Sequence, residues 1–584
     1  MNVSARSAAA AGTTAALVLA IAPAAAAAPP RSEPAADRVQ ERVYVESTVD
    51  SDRDGRPDRI AIDIVRPDTS AKVPVVFEHS PYRGGIKDTP FHNVNVDRLP
   101  QEGLFPGADR GRGATRTKGA TSLAGWLDSY FVPRGYGVVY GHSIGTGASE
   151  GCPTSGDKQE TLGTTAVIDW LNGRARGFRA DGSLVTASWS TGKVGMTGVS
   201  YDGTLPNMAA ATGVEGLRAI VPIAAISSFY DYYRANGLVV APGGWQGEDA
   251  DILARAVVDR TGCGDEIGGL TTGQDRVSGD YNDFWRARDQ LPLASQVKAG
   301  VFVMHGHSDW NVKGKQYAMW WDALRRHSVP RKIWLHRGGH GPPSRQDYMS
   351  TMQRWFDYWV KGIDNGVTRE PLADVQYADG SWKTYADWPD PAARPVTLHA
   401  SATSATAPGS LATSPSTGEL RQTFTDQGRT RRASSLVASP DAADANRLVY
   451  RTGALPAAVR LSGSPQVRIT GAVENRGDAN LTALLVDYDR PGGTSAPVIV
   501  SRGWLDPQNR NSPASGEKVV QGQEYDLRFD MQPKDHVFAA GRRIGLVVIS
   551  TDYDYTLRPQ AGTRLRLHPA QTSVTLPSVG LAAR

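Results

Sequence analysis

The sequence predicts an α/β fold built on a mostly parallel sheet, with a helical insertion and a C-terminal all-β domain. Three observations predict it. Short, fully apolar runs alternate with stretches of helical periodicity between about residues 73 and 335. Strands covered on both faces by crossover helices read this way. Residues 227–291 break the rhythm with aromatic and acidic side chains and no clear central strand. After about Glu370 helical periodicity fades, and Thr, Ser, Gly, Pro and Val dominate. At 584 residues the chain is too long for a single core. The expected layout is a leader over 1–28, an α/β domain in two parts over 38–226 and 292–370, and a helical cap over 227–291. A β sandwich or jelly roll follows over 371–584.

The elements follow in order. Arg6 precedes an alanine-rich run over 8–28, and Pro29 and Pro30 follow it. Thr13, Thr14 and Pro23 interrupt the run, and it ends in small residues. This pattern predicts a secretory signal peptide cleaved near Ala28, hence an extracellular protein with no lasting membrane association. Residues 42–46 and 59–64 alternate as two strands. The acidic stretch between them, 50–58, resembles the first half of a calcium loop. Ala61 stands where such a loop needs its twelfth ligand, so a hairpin turn of Asp and Gly is expected instead. Strands are expected at 73–77, 136–140, 193–197, 217–221, 301–304 and 332–335. Leu162, Ala166, Val167, Trp170 and Leu171 lie at helical spacing between the second and third of these. In the C-terminal part, 461–465, 466–470 and 544–549 read as strands.

Bulk properties narrow the function. The hydrophobic fraction is 40%, the charged fraction 21%, and the formal net charge only +4. With no long basic run, nucleic acid is not an expected partner. The two cysteines are Cys152 and Cys263. In an exported chain one disulfide is expected, with two separate buried thiols as the alternative. Neither cysteine has a second nearby, which argues against zinc.

The chemistry starts at Gly198-Val199-Ser200-Tyr201-Asp202-Gly203. A serine between glycines, after a strand and before a helix, is how a hydroxyl is presented as a nucleophile, with the next N–H facing the oxyanion. The helix is expected from about Gly203, with Pro206 in its first turn. The motif departs from G-x-S-x-G because Asp202 holds the place of the second glycine. Alone, the string fits a nucleophile and an ordinary tight turn equally well. A serine needs a base, and the base needs an orienting acid. The strand at 301–304 runs into Asp309, and the strand at 332–335 runs into a glycine-flanked His340. Serine, acid and base thus come in the required order, each just past a strand. His305, His307 and His336 compete locally, but His340 has the freer loop, and His336 is expected at the strand end.

Gly-x-Ser-Tyr-x-Gly, the Asp-Trp-Asn-Val of 309–312 and the Gly-Gly-His ending at His340 resemble the Xaa-Pro dipeptidyl-peptidases. This serine peptidase family also includes cocaine-esterase-like and acyl-amino-ester hydrolases. The resemblance covers the chain beyond the leader. It implies an α/β-hydrolase domain, a helical insertion and a C-terminal jelly roll. Residues 227–233 and 243–249 resemble the peptidase branch in particular. The resemblance assigns Ser200, Asp309 and His340 as the triad, and Tyr82 and the Tyr201 N–H as the oxyanion hole. It assigns Phe229 and Tyr232 to the wall of the pocket that receives proline, and Glu248 to the substrate's free ammonium. Glu248 and Asp249 are adjacent, and the residues alone do not choose between them. The implied activity is release of Xaa-Pro dipeptides from the N-termini of peptides with proline second. No cofactor or metal is implied. The alternative is an esterase or acyl-amino-ester hydrolase on the same scaffold.

Overall fold

The computed structural model describes residues 38–101 and 126–581. The expected leader, 1–28, lies outside the described residues. Among the described residues no helix is long and apolar enough to cross a membrane.

Strands β1 (Arg38–Glu46) and β2 (Arg59–Pro67) form an antiparallel pair. The acidic stretch between them is a turn. Asp50 accepts the N–H groups of Asp54 and Gly55, Asp54 accepts that of Arg56, and Asp58 accepts from Ser51. β3 (Val73–Ser80), β4 (Gly137–His142), β5 (Gly177–Phe178), β6 (Leu184–Val185), β7 (Ser190–Val199) and β8 (Leu217–Ile223) follow. A two-residue hairpin of β9 (Arg234–Ala235) and β10 (Leu238–Val239) lies in the insertion. β11 (Gly300–Gly306), β12 (Arg331–His336), β13 (Ala373–Gln376) and β14 (Trp382–Tyr385) complete the first part. The sheet runs β14-β13-β12-β11-β8-β7-β3-β4-β2-β1-β5-β6, and it is parallel from β13 across to β4.

Period-two alternation sorts the central side chains into two layers. Val301, Val303, Val194 and Met196 pack on one face with Val167 and Ile168 of α2 (Lys158–Leu171) and Trp320 and Trp321 of α8 (Lys315–Arg326). Phe302, Met304 and Val221 pack on the other with Phe131 of α1 (Trp126–Phe131) and Met352 and Trp355 of α9 (Tyr348–Phe356). This is why the strands are apolar on both faces. α2 starts where Asp157 accepts the N–H groups of Gln159 and Glu160 at 2.8 and 3.2 Å.

The insertion holds α4 (Phe229–Tyr233), α5 (Ala250–Val257), α6 (Gly264–Gly273) and α7 (Asp283–Arg286). A disulfide joins Cys152, beyond β4, to Cys263 at the start of α6, across 111 residues. Closing a loop of that length is worth roughly 4–5 kcal/mol on the chain-entropy model.

The change of fold comes later than the change of composition near Glu370. β13 pairs in parallel with β12, and β14 pairs with β13, so both extend the α/β sheet rather than open the β domain. A four-residue parallel strand in an Asp- and aromatic-rich context carries too little apolar pattern to be recognised without its neighbour. The all-β domain proper is a 13-stranded sheet system whose first strand is Arg394–Ser401 and whose last is Ser573–Val579. Leu461, Ile469, Leu485, Leu546 and Leu576 lie in its core. The described residues of both domains belong to one compact unit.

Candidate active site

Ser200 joins β7 to the helix α3 (Tyr201–Ala210) with φ 66° and ψ −126°. That backbone conformation costs a non-glycine residue about 1–3 kcal/mol and persists only where the surroundings enforce it. Here the enforcement is visible. The Ser200 N–H donates to the Ile223 carbonyl at 2.9 Å, and strand and helix touch through glycine. A Cβ on Gly203 would stand 2.7 Å from the Gly198 carbonyl oxygen and 2.8 Å from that of Ile223. The close approach therefore falls at 203, which explains why Asp202 is accepted at the motif's usual glycine position. The helix begins at Tyr201, two residues earlier than expected, so Pro206 lies inside it rather than in its first turn. The Tyr201 N–H belongs to the first helical turn, where no intrahelical acceptor exists.

The candidate acid and base come from the ends of neighbouring parallel strands. Asp309 follows β11 and His340 follows β12, and His340 Nδ1 lies 2.8 Å from Asp309 Oδ2. The other Asp309 oxygen accepts the N–H groups of Asn311 at 2.9 Å and Val312 at 3.0 Å, which fixes the carboxylate. Asp309 is buried, whereas the His340 side chain is 27% exposed. His305 lies within 3.5 Å of the same carboxylate, but its Nε2 is engaged by the Val312 carbonyl at 2.7 Å. His336 ends β12 and meets the Gly341 carbonyl at 3.0 Å.

Ser200 and His340 line one pocket of about 230 Å³ with Tyr82, Tyr201, Tyr232 and Glu248. Burial, then Asp202 and Glu248, raise the Tyr82 hydroxyl well above the ordinary tyrosine range, while a hydrogen bond with Ser200 opposes them. Tyr82 is therefore a neutral hydroxyl, able to donate, beside Ser200. The Tyr201 hydroxyl donates to the buried Glu160 carboxylate, which fixes the ring. Tyr232 faces the pocket, and its hydroxyl donates to Asn311 Oδ1 at 2.8 Å.

Phe229 is a correction. It was expected in the proline-pocket wall, yet it is fully buried and does not line the cavity. Its ring sits edge-on to Tyr201 at 5.7 Å, and a Cβ on Gly156 would lie 2.2 Å from it. It supports the wall from behind. The pair Glu248 and Asp249 also separates. Asp249 is fully buried between Arg234 (2.9 Å) and Arg276 (2.7 Å) and caps α5. Glu248 lines the pocket, and the Tyr233 hydroxyl donates to it at 3.2 Å.

Several pocket residues escape sequence reasoning. Asn311 lines the pocket beside the acid. Ile252, Leu253 and Ala256 of α5 add an apolar side, and their spacing along the helix was the available signal. Phe91 and Trp245 bring in aromatic rings 6.4 Å apart, from segments with no regular pattern. Lys313 is buried under the site and donates to the carbonyls of Tyr232 (2.9 Å) and Ala241 (3.3 Å). Burial pushes its ammonium down to about 7, against Asp309, Asp231 and Glu248. For a metal, the described residues offer Asp50, Asp52 and Asp58, whose ligand atoms lie within 4.8 Å of one another. Asp50, Asp52 and Asp58 already accept hydrogen bonds within the hairpin turn.

The comparisons agree with this architecture. Residues 54–342 match the model of the X-Pro dipeptidyl-peptidase (S15) family, and 365–581 match its C-terminal non-catalytic domain. A Bacillus anthracis protein with a provisional Xaa-Pro dipeptidyl-peptidase name is 50% identical over 93% of this chain and 88% of its own length. An Xaa-Pro dipeptidyl-peptidase of Lacticaseibacillus rhamnosus is 33% identical over 93% of this chain and 77% of its own. Among solved structures, an alpha-amino acid ester hydrolase superposes with a TM-score of 0.66 at 16% identity, covering 96% of this chain and all of the other. A CocE/NonD family hydrolase from Staphylococcus aureus gives 0.65 at 17% identity, covering 92% of this chain and 94% of its own. These two likenesses concern the fold, an α/β hydrolase. With both family models matched in sequence order and relatives alike along nearly the whole chain, this protein belongs to the X-Pro dipeptidyl-peptidase (S15) family of serine peptidases.

Proposed function

We propose that this protein is a secreted serine exopeptidase that releases Xaa-Pro dipeptides from the free N-termini of peptides. Ser200 Oγ attacks the carbonyl carbon of the second residue, proline, as the other nitrogen of His340 takes its proton. Asp309 holds the imidazole through Nδ1 and stabilises the cation that forms. The oxyanion is met by the Tyr82 hydroxyl and the Tyr201 N–H, donors aimed where charge develops. The His340 proton passes to the leaving amine, the C–N bond breaks, and a dipeptidyl ester remains on Ser200. Water, deprotonated by His340, then attacks that ester, and Ser200 recovers its proton as the dipeptide leaves.

One observation carries the exopeptidase reading: the Glu248 carboxylate lines the same small pocket as Ser200 and His340. A carboxylate in that pocket can pair with a substrate ammonium and so count residues from the chain end. Tyr232 offers a flat aromatic surface to the pyrrolidine ring. An esterase or acyl-amino-ester hydrolase would use the same acyl-enzyme chemistry without needing the amine. Comparing Ala-Pro-p-nitroanilide with its N-acetylated form tests the reading. Cleavage of the free form alone is expected, and equal cleavage of both would overturn it. Secretion is supported by the alanine-rich leader and by the disulfide of Cys152 and Cys263. N-terminal sequencing of protein recovered from culture medium is expected to begin near residue 29, and an intact Met1 on soluble intracellular protein would refute it.

A further inference from the structure

Resting on the peptidase reading above, we propose that one turn of the β domain, centred on Tyr555, positions both the catalytic acid and the amine-binding Glu248. The turn is rigid. The N–H groups of Tyr555 and Thr556 both donate to the Asp552 carbonyl at 2.9 Å. The Asp552 carboxylate is fully buried and accepts from Arg502 at 2.5 Å and from the Trp504 indole at 3.1 Å.

Two loops of the catalytic part rest on this turn. The Tyr555 ring lies 5.7 Å from that of Trp310, the residue after Asp309. Arg502 stands 5.4 Å from the Trp310 ring centroid, and the Lys534 ammonium 4.4 Å from it. Lys534 also donates to the His307 carbonyl. The acid loop is thus held by three side chains of the other domain. On the cap side, the Tyr555 carbonyl accepts the Ala241 N–H at 2.7 Å, and Thr556 bridges to Val240. Gln246, two residues before Glu248, donates to the Tyr553 carbonyl and accepts from Arg558. The loops also meet each other, because the Gly243 N–H donates to the Trp310 carbonyl at 2.7 Å. A displacement of about 1 Å at a reacting group costs on the order of a hundredfold in rate, so bracing of this kind bears on catalysis. The β domain is non-catalytic in the sense that it supplies no reacting atom, yet it sets the spacing between the amine site and the acid.

The test separates the two loops. Tyr555→Ala removes the ring from Trp310 but keeps the backbone carbonyl, and Tyr555→Phe keeps both. Arg558→Ala removes the donor to Gln246 Oε1 together with its own contacts to Tyr553, and leaves the contacts to Trp310 in place. Rates are expressed per active site, counted by fluorophosphonate labelling of Ser200, so misfolded protein does not enter. With Ala-Pro-p-nitroanilide, Tyr555→Ala is expected to lower kcat about tenfold or more with KM within twofold, and Tyr555→Phe to restore it. Arg558→Ala is expected to raise KM about fivefold or more with kcat within twofold. Unchanged kcat in Tyr555→Ala, or an unchanged KM in Arg558→Ala, would overturn the proposal. Hydrolysis of p-nitrophenyl acetate keeps it distinct from the peptidase reading. If wild type also cleaves the N-acetylated peptide, that reading falls, while the Tyr555→Ala loss on the ester still judges the bracing of the acid loop.

Discussion

The two walls of the pocket are held by different means. One wall carries Ser200, Asp309 and His340, each on a turn directly after a parallel strand of the sheet. Backbone hydrogen bonds to neighbouring strands fix those turns. The other wall carries Tyr232, within the short helix α4, and Glu248, just before α5. Beyond a few backbone bonds it leans on side chains: Tyr233 on Glu248, Lys313 on two carbonyls, and Asp249 between two arginines. The sheet wall can change little without losing the fold. The cap wall can be retuned one side chain at a time. On the proposed function, chemistry sits on the part that topology protects, and selectivity on the part that it does not.

The comparison can be broken at graded depths. Ser200→Ala is expected to cost about a millionfold in kcat, the scale seen when a triad nucleophile is removed. Residual turnover within a hundredfold of wild type would show that the nucleophile lies elsewhere. Asp309→Asn leaves shape but offers His340 the wrong tautomer, and a loss of about ten-thousandfold in kcat is expected from steady-state rates. Tyr82→Phe removes one oxyanion donor and is expected to cost about a hundred- to a thousandfold in kcat with KM nearly unchanged. On the cap wall, Glu248→Gln is expected to lower kcat/KM on the free-amine substrate by about 10- to 100-fold, the worth of one charge-assisted contact. Its rate on p-nitrophenyl acetate should stay near wild type. An equal fall on both substrates would erase the division between the walls.

The smallest effect concerns stability alone. Burial raises the Asp251 carboxyl, but hydrogen bonds from His92, Thr271 and Gln274 more than offset it, leaving a value of about 2. A folded-state value below the unfolded one stabilises at neutral pH, and that stability fades as pH falls through about 4 toward 2. Asp251→Asn is therefore expected to lower unfolding free energy by roughly 2 kcal/mol at pH 7. In urea titrations the gap to wild type should close on acidification, and a gap independent of pH would exclude the carboxylate as its source.

Legibility in the sequence follows the same division. Of the six short strands expected between residues 73 and 335, five fall within strands of the sheet and the sixth, 136–140, overlaps β4 in all but its first residue, because burial on both faces leaves an unbroken apolar run. The order of Ser200, Asp309 and His340 was readable because each follows such a run. β13 and β14 were not, being too short to carry a pattern, and they were assigned to the β domain. On the cap, Glu248 and Tyr232 come only from family resemblance, and Phe229, expected in the pocket wall, is buried against Tyr201. A five-residue helix with four aromatic residues, such as Phe229–Tyr233, gives no local signal of which ring faces the cavity. Tertiary packing alone decides it. Trp310 and Tyr555 lie 245 positions apart in the chain, and no spacing rule connects them.

The backbone at Ser200 has an evolutionary consequence. A residue with φ 66° and ψ −126° is one where glycine would rest more comfortably than any side chain. Selection for a sturdier fold alone would drift this position toward glycine and silence the enzyme. On the proposed role of Ser200, a serine held in that strained conformation reflects selection for turnover. The same position offers a simple diagnostic among diverged copies of this chain, since those that have given up hydrolysis are free to relax at this residue first.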